Sequence, residues 1–263
     1  MLAEAYTRCR VTTRTGVCEF DKVMAHLEEA KRPPRVALEG RILWHQVKRG
    51  SPVDFDSEIR ALAPSDRTVE IARRTMAALI CDLGPQRRLP VLTKNESGVV
   101  LLVNTGPDSI LLGNDLEEAG IGGWTAIVQG CGATDERAIV FKIPHHGGKT
   151  GYCDDVWTRM LQDEPYCLLS PFICGSQRLP SRDDCGRILA HTSRGYITCS
   201  PALPRKRRRR EPTVEKTIRE NMPDLGDVPC SPGQVRLRMV PGDPRSRRVE
   251  LFAGALSLER AWD

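Results

Sequence analysis

Apolar positions along this chain recur in two periods, and the switches between them mark its elements. In "EFDKVMAHLEEAKR" (19–32), Phe20, Val23, Met24 and Leu27 fall at helical spacing, and "RPP" ends the pattern. "RVALEGRILWHQV" predicts short strands around a glycine turn, and "FDSEIRALAP" alternates as a strand does. "SDRTVEIARRTMAALICDLG" predicts a helix with Ser65 as its cap and Gly84 and Pro85 past its end. In "SGVVLLVNTGPDSILLGND" two β-rich runs flank Gly-Pro-Asp, which predicts a hairpin.

Beyond the hairpin, "DLEEAGIGGWTAIVQG" is a short helix or loop that opens with acidic residues, "RAIVFKIP" a buried strand and "DDVWTRMLQD" a helix. "PYCLLSPF", "SRDDCGRILAHTSR" and "GYITCS" continue as strand, helix and strand. This alternation predicts an α/β fold, a layered sheet with helices outside it. From Pro201 to Pro232 the chain is rich in Pro, Arg and Glu, the composition of an exposed, mobile insertion. "GQVRLRMV" and "RRVELFAGAL" then supply two closing strands. The organisation expected is therefore an N-terminal helix with connecting strands (1–50), a core (51–200), a flexible basic insertion (201–232) and closing strands (233–263). No repeat of fixed period is present.

Composition narrows the class. The hydrophobic fraction of 40% spread over 263 residues supports a substantial core. No apolar run approaches the roughly 20 residues that cross a bilayer, so a cytoplasmic protein without a membrane partner is expected. The ten cysteines nowhere form a CxxC, which argues for scattered thiols in a reducing compartment. Much of the net charge of +5 sits in one run, Arg205, Lys206, Arg207, Arg208, Arg209 and Arg210. That run is the candidate nucleic-acid contact, although no aromatic residue interleaves it to stack on bases.

The candidate chemistry lies at two strand ends. Asp115 follows "ILLGN", where a buried strand runs out into a loop. A carboxylate there either caps the following "LEEAG" segment or is compensated by a divalent cation. "VFKIPHHGG" ends a second strand with His145 and His146, and its two glycines let the backbone turn tightly. Imidazole paired with carboxylate fits zinc and similar ions, and two consecutive histidines in this setting are poor candidates for core residues. Trp124, in "GGW", is expected to pack over the outer loop. No G-x-S-x-G elbow and no phosphate-cradling glycine motif occurs.

"ILLGNDLE" followed by "FKIPHHGG" resembles the C-terminal half of metallo-β-lactamase-fold hydrolases, in particular the hydrolase-like domain of bacterial DNA-uptake (competence) proteins. "RALAPSD", "NESGVVLLV", "PYCLLSPF" and "LPSRDDCGRIL" extend the resemblance over roughly Val53 to Ser200. It implies an αββα sandwich, N-terminally incomplete, with a metal centre where strand ends meet. It also implies that Asp115 bridges two metals, that His146 or His145 ligates one, and that the other histidine contacts substrate, His145 being the candidate for that catalytic role. The cofactor implied is Zn2+, with Mn2+ as the alternative, and the chemistry is metal-assisted hydrolysis of a phosphodiester or similar ester.

The chain also departs from that pattern. None of its five histidines forms the family's His-x-His-x-Asp-His motif. Asn114 replaces a glycine, Gly148 a small hydroxyl residue, and Leu179 the histidine of a His-Pro pair. A complementing N-terminal half or partner chain is therefore expected to supply the missing ligands. The alternative is a degenerate scaffold or a nucleic-acid-binding module.

Overall fold

The computed structural model describes residues 16–49, 55–82, 95–119, 122–130, 136–174, 176–202, 211–221 and 233–263. The chain divides into two units, 1–36 and 37–263. The first holds helix α1 (Gly16–Glu29).

The second unit is a mixed α/β structure built on a large sheet. In chain order it runs β1 (Ile42–Lys48), β2 (Phe55–Ala63), α2 (Asp66–Asp82), β3 (Val100–Asn104), β4 (Ser109–Leu112), α3 (Trp124–Gln129) and β5 (Ala138–Lys142). It continues with α4 (Asp154–Arg159), β6 (Leu161–Leu169), β7 (Phe172–Cys174), β8 (Gln177–Leu179), α5 (Arg182–Leu189) and β9 (Gly195–Ile197). Helix α6 (Pro212–Asn221), β10 (Gln234–Val240), β11 (Asp243–Phe252) and β12 (Leu256–Ser257) complete it. The main sheet has the order β1-β2-β3-β4-β5-β6-β9-β12. Pairing is antiparallel from β1 to β4, parallel through β4, β5, β6 and β9, and antiparallel again at β12.

Local signals account for much of this. Ser65 caps α2 through its hydroxyl, which accepts from the Thr68 amide at 3.2 Å. Ser181 and Asp184 form a reciprocal capping box at the start of α5. The β3–β4 hairpin turns at Gly106-Pro107-Asp108, as its sequence predicts. The core gathers Leu111, Leu116, Trp124, Phe141, Leu161, Leu169 and Ile197. Phe141 anchors it, meeting Trp124 and Trp157 edge to face at 5.9 and 5.6 Å.

Four elements differ from the sequence expectation. Residues 35–38, expected as a short strand before the Gly40 turn, form none. The helix expected over "DDVWTRMLQD" stops at Arg159, because Leu161 already pairs with Ala138 and draws the next residues into β6. The segment 201–232, expected to be irregular, contains helix α6. The two closing strands β10 and β11 pair with each other as a separate ribbon, and only the short β12 extends the main sheet. Among the described residues no helix is long and apolar enough to cross a membrane.

Candidate metal centre

The site follows from the register of the first parallel pair. Because β4 and β5 run the same way with Leu112 beside Lys142, their following loops leave the sheet at one end. The Gly113 amide donates to Lys142 O at 3.1 Å, and the His145 amide to Asn114 O at 3.1 Å, so the two loops are stitched together. Gly113 is required for this approach: a Cβ there would lie 2.9 Å from Lys142 O.

Backbone strain is concentrated at the same place. Asn114, His145, His146 and Gly147 have φ of 49°, 44°, 54° and 80°. Left-handed backbone is rare outside glycine and persists where its surroundings enforce it. Here it turns two consecutive imidazoles in different directions, their rings 6.5 Å apart and inclined at 79°.

His146 faces Asp115. Its Nδ1–H donates to Ser170 O at 3.0 Å, and since a carbonyl only accepts, the proton must sit on Nδ1. In the neutral ring, Nε2 then presents a lone pair toward Asp115 Oδ1 at 3.8 Å. With the ring neutral, two acceptors would face one another across a gap too long for a hydrogen bond. Two bonds of about 2.1 Å to a shared tetrahedral ion would separate donors by roughly 3.4 Å, so the pair fits a divalent cation. Anchoring the far ring nitrogen on a carbonyl is the arrangement that orients metal-binding histidines. Phe172 packs beside the ring at 5.4 Å.

His145 turns to Glu117 instead. Its buried Nδ1 lies 3.3 Å from Glu117 Oε1, within ion-pair range but without the alignment of a hydrogen bond. Asn95 donates to the same carboxylate oxygen at 3.3 Å. Lys142 stands near Asp115 as well; burial holds its pKa below the ordinary lysine value, and the Asp115 charge works against that depression. Trp124, fully buried, donates from its indole to Leu116 O at 3.2 Å, so it packs beneath the Asp115 loop and pins it.

Asp115 caps no helix: residues 116–119 are not helical, and α3 begins at Trp124 after Gly123, without a side-chain cap. His26 is exposed on α1. His45 lies on β1, three strand spacings or about 14 Å from β4, and points to Asp56 at 3.9 Å. His191 stacks on Trp157 at 4.4 Å and bonds Tyr152 Oη at 2.7 Å. Arg205, Lys206, Arg207, Arg208, Arg209 and Arg210 lie outside the described residues.

Glu117 and Lys142 were not singled out from sequence, although Glu117 sits two positions after Asp115 and Lys142 three before His145. The Ser170 carbonyl carries no side-chain signal at all. Leu179 lies against the histidine loop, its Cδ1 3.2 Å from where a Cβ on Gly148 would stand. The loop therefore meets an apolar side chain at the position where the resemblance expects histidine. Among the described residues no group of three or more His, Cys, Asp or Glu side chains gathers to hold a metal. Asp115 and His146 are the two candidate donors that the fold brings together.

Comparison with known proteins returns no match: no family model, curated protein or solved structure is significantly similar to this chain.

Proposed function

We propose that the chain is a metallo-β-lactamase-like, metal-dependent hydrolase of a phosphodiester or similar ester, present as an incomplete catalytic unit. Its architecture is then an αββα sandwich whose remaining layers and ligands come from a complementing N-terminal half or a partner chain. The observation that carries this reading is the 3.8 Å approach of His146 Nε2 and Asp115 Oδ1 where two parallel strands end. Asp115 and His146 would hold the ion, Zn2+ or Mn2+, and the Ser170 carbonyl fixes the His146 imidazole. A bound ion of this kind lowers the pKa of its water and offsets charge on the attacked group. His145, set beside it and backed by Glu117, is the residue for substrate contact, and Lys142 contributes positive charge on the Asp115 side.

Calorimetric titration of the full chain with zinc, then manganese, tests this. Binding that disappears in Asp115→Asn and in His146→Ala but survives Glu117→Gln is the expected result. A second reading, a degenerate scaffold that kept the loops and lost the metal, is favoured by Leu179 and by the absence of a third ligand among the described residues. Titration heats no greater than those of the Asp115→Asn variant would decide for the scaffold.

A further inference from the structure

The ribbon β10–β11 has two unlike faces. Its register pairs Val235 with Leu251 and Leu237 with Val249 on one side, and Arg236 with Glu250 and Arg238 with Arg248 on the other. Arg247, on the apolar side, reaches Asp108 in the β3–β4 turn at 3.0 Å, and the Gly242 amide donates to the same carboxylate at 2.8 Å. Asp108 is only 3% exposed, so this buried pair fixes the ribbon and leaves its arginine side outward.

That outward face carries surplus positive charge. Glu250 is shared by Arg236 at 3.5 Å and Arg238 at 3.2 Å, while no carboxylate of the described residues lies within ion-pair distance of Arg248. Arg238 directly opposite Arg248 is a like-charge cross-strand pair, an arrangement that costs stability until an anion bridges it. At the other end of the face Phe252 is 42% exposed, with the Arg236 guanidinium stacked 5.0 Å over its ring.

From these features we infer that the outward face of the β10–β11 ribbon binds single-stranded nucleic acid, with Arg238 and Arg248 on the phosphates and Phe252 under a base. Guanidinium groups bind phosphate through planar forks, and an exposed ring beside them supplies a stacking platform, which an acidic polypeptide would not use. The surface is separate from the Asp115–His146 pair and stands or falls without it.

The test is fluorescence anisotropy of the full chain with a short labelled single-stranded oligodeoxynucleotide across a salt series. Arg238→Gln/Arg248→Gln should lower the slope of log K against log salt by about 1.4 and weaken binding roughly tenfold or more at 0.1 M salt. Its Tm should be unchanged or higher, because the opposed charges are gone. Phe252→Ala should weaken binding about fivefold or more. An unaltered affinity and salt slope in the folded double variant would overturn the inference. So would binding abolished by deleting residues 205–210 yet untouched by the ribbon substitutions, or equal competition by polyglutamate.

Discussion

β1 and β5 lie in one sheet, four strands apart, and meet water on opposite terms. In β1, Ile42, Trp44 and Val47 remain 45%, 42% and 41% exposed, and its only described sheet partner is antiparallel. In β5, Ala138, Ile139, Val140 and Phe141 are all at most 3% exposed, with parallel partners on both sides. A strand covered on both faces has one workable register, since a one-residue slip would exchange every buried position. Parallel neighbours also deliver their carboxyl ends to the same edge, where ligands bind in sheets of this kind. The candidate centre arises where the sheet changes from antiparallel to parallel, between β4 and β5. The antiparallel half has no equivalent, because each of its strand ends meets the start of its neighbour.

The sharpest way to break this contrast is a pair of tryptophan truncations read by urea unfolding. Trp124→Ala should cost about 3–5 kcal/mol, the range for a large buried aromatic, whereas Trp44→Ala should stay within about 0.5 kcal/mol, as for ordinary surface positions. Similar losses would mean that the two halves share one level of packing. Next in size is Gly113→Ala, which forces a methyl to within 2.9 Å of the Lys142 carbonyl and should cost about 1–3 kcal/mol. A neutral Gly113→Ala would show that the β4 and β5 loops are not closely stitched. Gly147→Ala, at φ 80°, should cost about 1–2 kcal/mol for the left-handed backbone. Circular dichroism melts give its size, and no loss of Tm would remove the strain from the histidine turn. The smallest change in stability is expected for Leu179→His, with the largest change in function: a third imidazole against the histidine loop should tighten zinc binding in calorimetry. Unchanged zinc affinity would place Leu179 away from the ion.

Local chemistry in the sequence forecast the parts of the fold that local chemistry decides. Ser65 sets the start of α2, Gly-Pro-Asp sets the β3–β4 turn, and the unbroken apolar run sets β5. Asp115 and His146 stood out because each follows such a run, and the parallel register brings them together. Leu161–Asp163 escaped detection because their strand conformation depends on β5, more than twenty positions earlier in the chain. The Glu117–His145 approach and the Ser170 carbonyl depend on the left-handed turn at His145 and His146, which no residue type in "PHHGG" demands outright. The separate β10–β11 ribbon depends on Asp108, whose carboxylate and Arg247 partner are 139 positions apart.

Anomalous diffraction at the zinc edge, from crystals of the full chain soaked in zinc, addresses the candidate centre most directly. The account predicts a peak in contact with both His146 Nε2 and Asp115 Oδ1. A map with its zinc elsewhere, or with the His146–Asp115 gap empty at saturating metal, would contradict it.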